Sequence, residues 1–220
     1  NMKNDILYSF RRCPYAIRAR WALLICKIKV EIREIDLKNK PLDFINISKN
    51  QTVPILVKTN NEIIEESLDI IIWALSQSEK ENLKNIYFPN TREEEILEII
   101  YENDHNFKYH LDRFKYSARF NKSEEDYHFI EARKFIGEWN KKLIKSKWLM
   151  GDTPTIADWC IWPFVRQFKI ACESQKKTRY FDTPLKEWLD YYEKHPYFEK
   201  LMYKYDPWET SFKKDFFPCN

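Results

Sequence analysis

Glycine is nearly absent from this sequence, with two residues in 220. So few glycines exclude the glycine-rich loops that cradle phosphates in nucleotide-binding proteins. Long hydrophobic runs are also missing, since no apolar stretch approaches the roughly 20 residues that a membrane-spanning helix requires. We therefore expect no membrane partner. Histidine is scarce too, and because the four histidines lack the spacing of metal ligands, we predict no metal site.

The sequence also has no disulfide framework and no excess of one charge. The five cysteines are odd in number and scattered, which is typical of a reducing compartment, so we expect a cytoplasmic location. The net charge is only +3, and we interpret the basic run at 176–179 as a solvated turn, which argues against a nucleic-acid partner. Aromatic residues, by contrast, make up 16% of the chain, which indicates a heavily packed helical core.

The first part of the chain is predicted to be a small α/β domain. Short apolar and β-branched runs, which predict strands, alternate with helical repeats in the order βαβ-α-ββα. We expect Ser67 to cap the last of these helices and Asn60-Asn61 to form a tight hairpin. The predicted strands are 6–10, 30–37, 53–58 and 62–66, and the predicted helices are 14–27, 40–47 and 67–75.

The rest of the chain is predicted to be helical. Helices are expected to start at Thr91, Ser123 and Thr155, with Asp158 completing a capping box and Pro163 kinking the third of them. Further helical turns are predicted at 184–194 and 197–204. The predicted domains are 2–76 (α/β), a polar linker at 77–90, and 91–220 (all-α).

One cysteine is distinguished by its neighbours. Cys13 lies between the end of the first predicted strand and Pro14, which suits the first position of a helix. Unpaired backbone N–H groups and the helix dipole favour a thiolate there, and so do Arg11 and Arg12 if either points toward the sulfur. We therefore predict that Cys13 is a nucleophile. Because the residue three positions later is Ala16, a mixed disulfide on Cys13 needs an outside thiol for its release.

Other residues of the same types are interpreted as core residues. Cys26, Cys160 and Cys172 each fall within a predicted helix among apolar neighbours. Tyr8 lies inside the first strand, before the turn, so we predict core packing and no catalytic role for it.

These motifs together resemble the cytosolic glutathione transferases, and most of all their cysteine-dependent omega class and its bacterial relatives. CPYA at 13–16 resembles the omega active-site turn, and LKNKP at 37–41 resembles a segment whose lysine contacts glutathione. TVP at 52–54 resembles the segment before the family's cis-proline. EES at 65–67 and GDTPTIAD at 151–158 are similar to the family's Glu-Ser pair and its helical-domain capping box.

The resemblance implies a thioredoxin-like domain followed by an all-helical one, a homodimer, and glutathione as co-substrate. It implies that Cys13 is the catalytic thiol. Val53 would pair with the peptide backbone of glutathione, Lys40 with its glycyl carboxylate, and Glu66 and Ser67 with its γ-glutamyl end. The implied glutathione-binding residues are Pro14, Tyr15, Lys40, Val53, Pro54, Glu66 and Ser67.

The resemblance also implies a second-substrate pocket between the domains. Its candidate residues are spaced at four and seven positions, which is also the spacing of a buried helix face, and we favour core packing for them. These candidates are Tyr101, His105, Tyr109 and Tyr116.

Three functions are open at this point. The first is a glutathione-dependent thiol transferase or reductase, which carries out thiol–disulfide exchange and deglutathionylation on an unidentified disulfide or electrophile. The second is a non-enzymatic interaction module similar to stringent starvation protein A, because fold alone does not fix function. The third is a protein similar to the chloride intracellular channels, ranked last because segment 21–37 carries many charges.

Overall fold

The computed structural model of the protein describes residues 4–77, 82–177, 181, 183–209 and 213–219. Contacts divide the chain into two compact units: the first consists of Asn1–Lys84 and Pro196–Asn220, and the second of Asn85–His195. In chain order the elements are β1 (Ile6–Ser9), α1 (Pro14–Ile25), β2 (Val30–Glu34), α2 (Leu42–Ile47), β3 (Ile55–Val57), β4 (Ile63–Ile64), α3 (Ser67–Ser76), α4 (Leu83–Tyr87), α5 (Glu93–Tyr101), α6 (Lys108–Lys115), α7 (Glu125–Lys145), α8 (Ile156–Ser174), α9 (Thr183–Glu193), α10 (Phe198–Leu201) and β5 (Asp215–Phe217).

The first unit is built on a sheet with the strand order β4-β3-β1-β2-β5. Strand β1 is parallel to β2 and antiparallel to β3, and α1 connects the two parallel strands. This arrangement confirms the predicted thioredoxin-like order of elements. Because strand side chains alternate between faces, Ile6 and Tyr8 share one face of β1, where they pack with Phe44 of α2. The prediction that Tyr8 is a core residue is confirmed, since it is 3% exposed.

The end of the chain differs from the prediction of an all-α segment over 91–220. Residues after His195 belong to the first unit, and β5 extends its sheet antiparallel to β2, with Phe217 opposite Val30. Lys214 reinforces this edge through an ion pair of 3.1 Å with the buried Glu31. The prediction failed because a three-residue strand is specified by its distant partner, while the local sequence carries no strand pattern of its own.

Two local predictions in the first unit have different outcomes. The hairpin between β3 and β4 is confirmed, since Asn61 adopts a positive φ of 68°, a conformation that asparagine tolerates. The polar stretch 77–90, interpreted as a linker, contains the short helix α4. The buried Leu83 anchors that helix, and five residues are too few to show a helical repeat in the sequence.

The second unit is helical, as predicted, but two of its helix starts differ. The chain enters α5 through a 3₁₀ turn at Asn90–Arg92, so Thr91 lies within that turn. Before α7 the chain forms another 3₁₀ turn at Lys122–Glu124, which Asn121 caps by accepting a hydrogen bond from the Ser123 N–H, and Glu124 takes the cap position of α7 itself. Ser123 therefore lies inside that turn, because Asn121, also a residue that caps well, starts the turn two positions earlier.

The capping box at the start of α8 is confirmed. The Thr155 hydroxyl accepts a hydrogen bond from the first turn, and the Asp158 carboxylate accepts one from the Thr155 N–H at 3.0 Å. Helix α8 continues through Pro163, and its first ten residues are all buried. It therefore forms the core of the second unit.

Candidate active site

Cys13 lies where the sequence predicts, immediately before α1. It is the residue that precedes the first helical residue, Pro14, and its backbone is extended (φ −70°, ψ 120°). The thiol is half-buried, and its Sγ donates a hydrogen bond of 3.7 Å to the Val53 carbonyl oxygen. Among the residues that the structure describes, the Cys13 side chain makes no capping hydrogen bond with α1. The observed contact is therefore one that the neutral thiol makes.

A buried arginine from α1 holds the turn that leads to Cys13. Arg20 donates from Nη1 to the Ser9 hydroxyl at 2.6 Å and to the Phe10 carbonyl oxygen at 3.3 Å. Its Nη2 donates to the Arg11 carbonyl oxygen at 2.7 Å. On the other side of the same turn, the Arg11 N–H donates to the Glu34 carboxylate at 2.7 Å. The turn is thus fixed by a positive and a negative group.

The segment before β3 connects Cys13 to Lys40. The Val53–Pro54 peptide bond is cis, as the resemblance implies. Two residues earlier, the Gln51 carbonyl oxygen accepts a hydrogen bond of 3.1 Å from Lys40 Nζ. Both Val53 and Pro54 are buried, whereas Gln51 is exposed. The structure therefore places Lys40 beside the segment whose carbonyl group contacts the Cys13 thiol.

The start of α3 contacts α1 through another buried arginine. Arg18 Nε donates to the Ser67 hydroxyl at 2.9 Å, and both side chains are buried. The Arg18 guanidinium also lies 4.9 Å from the centre of the Tyr15 ring. The cap position of α3 is occupied by Glu66, which is exposed, so the prediction that Ser67 caps this helix is wrong by one residue. The reason is that the Ser67 hydroxyl points inward to Arg18.

Sequence reasoning missed Arg18 and Arg20. A signal was present, because IRARW places two charged residues among the apolar residues of one helix. A buried arginine is rare unless a partner compensates its charge. Two arginines in an apolar helix therefore indicate either a functional site or a stripe of the helix that faces solvent. The sequence alone does not distinguish these two.

Core packing, the interpretation favoured for the four second-substrate candidates, is wrong for three of them. Tyr101, His105 and Tyr109 are exposed, and Tyr116 is half-buried. Between α5 and α6 the chain forms a π-helical segment at Glu102–Phe107, whose buried residues are Asn103 and Phe107. Tyr101 and His105 contact each other outside the core, with their ring centres 4.1 Å apart.

The other chemical predictions concern cysteines, metals and membrane spans. All five cysteines lie outside disulfides, and Cys26, Cys160 and Cys172 are buried as predicted. Over the described ranges, no cluster of three or more His, Cys, Asp or Glu residues is arranged to hold a metal ion. In the same part of the chain, no helix has both the length and the apolar character needed to span a membrane.

Comparisons with known proteins agree with this architecture. The family model for the glutathione S-transferase N-terminal domain matches residues 7–82, and the model for the C-terminal domain matches residues 109–194. Mouse glutathione S-transferase omega-1 is 26% identical over 170 residues, which cover 74% of this chain and 66% of the mouse protein.

Solved structures show the same fold. One is a glutathione transferase family member from Pseudomonas fluorescens pf-5 with two glutathione molecules bound; it has a TM-score of 0.76 and 17% identity, and the match covers 91% of this chain and 92% of that one. Another is glutathione transferase Omega 3C from Trametes versicolor, with a TM-score of 0.75, 13% identity, and coverage of 94% and 92%. At these identities the likeness concerns the fold alone. With both family models matching in order along the chain, this protein belongs to the glutathione transferase family.

Proposed function

We propose that this protein is a glutathione-dependent thiol transferase of the cysteine, omega-like type, in which Cys13 is the catalytic nucleophile. The observation that carries the proposal is the position of Cys13 at the N-terminus of α1, with its thiol half-buried and 3.7 Å from the Val53 carbonyl oxygen. The N-terminal end of a helix favours a negative charge, and a thiolate is the reactive form in disulfide exchange.

Glutathione would be held by residues on both sides of Cys13. Val53 offers backbone groups to the cysteinyl part of this short peptide, next to Pro54, and Lys40, beside Gln51, suits the glycyl carboxylate. At the other end, the first N–H groups of α3 lack partners within the helix and suit the γ-glutamyl carboxylate. The exposed Glu66 would accept from its ammonium group.

Arg18 supports the proposed site for the γ-glutamyl end of glutathione from the buried side of α3. Its side chain is buried and its Nε donates to the Ser67 hydroxyl at 2.9 Å, so it fixes the first residue of α3 and adds positive charge behind the anion site. Tyr15, which follows Pro14, lies against the same guanidinium. The proposed site therefore runs from Lys40 through Cys13 to Ser67 without requiring a metal ion.

The reaction is two successive thiol–disulfide exchanges. The Cys13 thiolate attacks the glutathione sulfur of a mixed disulfide, a new S–S bond forms between Cys13 and glutathione, and the substrate leaves as a thiolate that takes up a proton. A second glutathione, as thiolate, then attacks the glutathione sulfur on Cys13. Oxidised glutathione is released and the Cys13 thiolate is regenerated, so the mixed disulfide is reduced at the expense of one free glutathione thiol.

One observation favours a second candidate, a non-enzymatic interaction module. The hydrogen bond from the Cys13 thiol to the Val53 carbonyl oxygen stabilises the neutral form, which is a poor nucleophile. If this contact dominates at neutral pH, the same fold would serve binding alone. The pH dependence of Cys13 alkylation distinguishes the two candidates, because a midpoint below the free-thiol value of about 8.5 favours the enzyme and a midpoint at or above it favours the module.

The direct test is the intact mass of the protein after incubation with oxidised glutathione. We expect one glutathione to add to the native chain and none to Cys13→Ser. Cys160→Ser is the matched control, because that cysteine also lies outside a disulfide but is fully buried, and this variant should be modified like the native chain. An adduct that persists in Cys13→Ser, or that maps to Cys160 or Cys172, would contradict the assignment.

A further inference from the structure

Arg20 is a charged side chain at a place where burial is costly. It is 2% exposed, and taking a guanidinium out of water is strongly unfavourable unless its partners compensate. Packing alone does not require a charge there, because an apolar side chain of similar volume fills a core position without that penalty. Its hydrogen bonds to Ser9, Phe10 and Arg11 show instead that the charge is directed at the turn before Cys13.

The titratable and charged groups that act on Arg20 come from three parts of the first unit. They are Cys13 and Arg11 in the turn, Glu34 at the end of β2, and Tyr205 after α10. Ionised Cys13 raises the pKa of Arg20, and because a Coulomb interaction is mutual, the guanidinium equally favours the Cys13 thiolate. Burial lowers the pKa of Arg20 to about 10, so this group still carries its charge at neutral pH.

This charge opposes the contact that favours the neutral thiol. Ionisation of Cys13 gives up the hydrogen bond to the Val53 carbonyl oxygen, and partial burial of the sulfur adds a cost of desolvation. The N-terminus of α1 and the guanidinium of Arg20 act in the opposite direction. Since Arg20 also holds the backbone of the turn, its charge stays at a fixed place relative to the sulfur.

We propose that Arg20 is a positioning residue for Cys13, which holds the Ser9–Arg11 backbone and supplies the buried positive charge that keeps the thiol ionised at neutral pH. The sequence pointed to Arg11 and Arg12 for this charge. Arg12 is exposed, where solvent and salt screen its field, and Arg11 is bound through its backbone. The inference deepens the proposed function and rests on it for the use made of the thiolate.

The test is the rate of iodoacetamide alkylation at Cys13 against pH, read by peptide mass spectrometry, in native protein and Arg20→Met. We expect the midpoint in Arg20→Met to rise by about one pH unit or more, which makes alkylation about tenfold slower at a pH below both midpoints. Arg20→Lys keeps the charge but loses the planar fork, so its midpoint should lie between the two. A folded Arg20→Met with the native midpoint would overturn the proposal.

Glu34→Gln gives a second test with the opposite sign. Glutamine keeps the volume and the acceptor for the Arg11 N–H but removes the negative charge that offsets Arg20. We expect the alkylation midpoint to fall, by about half a pH unit. If Arg20 and Glu34 only stabilised the turn, both substitutions would shift the alkylation midpoint in the same direction. A rise of the midpoint in Glu34→Gln therefore overturns the proposal even if Arg20→Met does not fold.

Arg12→Gln is the matched control, since it removes the same charge from an exposed position next to Cys13. Its midpoint should stay at the native value, and a rise as large as that in Arg20→Met would transfer the role to surface charge and overturn the assignment. Alkylation uses no glutathione, so the two proposals fail separately. If the midpoints shift as expected but no glutathione adduct forms, the proposed function is wrong and the role of Arg20 stands.

Discussion

Replacing Asp158 with alanine should severely destabilise the second unit. One oxygen of its carboxylate accepts from the Leu149 N–H and from the Trp188 indole N–H, each at 2.9 Å, and the other accepts from the Thr155 N–H at 3.0 Å. These groups belong to the loop before α8, the start of α8 and helix α9. Since all four residues are buried, alanine would leave three donors without water or an acceptor.

The size of the effect follows from those three donors. A buried donor that loses its acceptor costs about 1–3 kcal/mol, and partial relaxation makes the three losses less than additive, so we expect the free energy of unfolding to fall by about 3–5 kcal/mol. Burial raises the pKa of Asp158 to about 6, so at about pH 7.5 the carboxylate is ionised in both the folded and the unfolded chain. Titration therefore does not complicate the comparison at that pH.

The measurement is urea unfolding followed by tryptophan fluorescence. Asp158→Asn should cost less than alanine, because its amide oxygen still accepts from Leu149 and Trp188 while its NH₂ faces the Thr155 N–H. Asp152→Ala is the matched control, an exposed aspartate in the same loop, and should change stability by less than about 0.5 kcal/mol. If Asp158→Ala costs no more than Asp152→Ala, the three hydrogen bonds do not carry the stability assigned to them.

Three further predictions concern glutathione binding, pH and assembly. Glu66→Ala should weaken glutathione binding by about 1.5–3 kcal/mol in calorimetry without changing stability, because Glu66 is exposed; Ser67→Ala should weaken binding and also lower stability, since Arg18 loses the hydroxyl acceptor. Unchanged affinity in both variants would contradict the proposed γ-glutamyl site. His110 faces His128 with the two Nδ1 atoms 2.9 Å apart, and desolvation, followed by His128, lowers the pKa of His110. A lowered histidine pKa means that the unfolded chain binds the proton more tightly, so this contribution to stability is complete above about pH 6.5 and is lost as the pH falls through the folded value. Unfolding measured at about pH 8 and pH 5.5 should show a smaller loss in His110→Gln than in the native chain, and equal losses would refute this. Finally, we expect a homodimer in sedimentation at micromolar concentration, and a monomer there would contradict it without affecting Cys13.

The features that were predicted correctly depend on residues close together in the chain. Pro14 after Cys13 marks a helix start because proline suits the first helical position. Asn61 allows a tight hairpin because its side chain tolerates positive φ. Thr155 and Asp158 form a capping box because their spacing brings each side chain to the other's backbone. In each case the physical cause lies within four residues, so the sequence contains it.

The candidate site could be predicted only in part. The motifs and the resemblance to the omega class predicted Cys13 and the Val53–Pro54 segment as site residues. That prediction did not require the 3.7 Å contact between the Cys13 thiol and the Val53 carbonyl oxygen. Arg18 and Arg20 were missed, because whether an arginine in a helix faces solvent or the core depends on what packs against that helix. The exposed Arg12 and the buried Arg20 look alike in a one-dimensional pattern.

The sequence by itself determined where helices begin, where the hairpin turns and which thiol lies at a helix N-terminus, since these depend on local hydrogen bonds and backbone preferences. Only the tertiary structure decided that β5 pairs with β2 and that Arg20 lies behind the Cys13 turn. Phe217 lies opposite Val30 although the whole second unit separates them in the chain. Such pairing depends on which strand edge is open to accept hydrogen bonds and which buried charge needs a partner. Both depend on how the rest of the unit packs, so no local stretch of sequence specifies them.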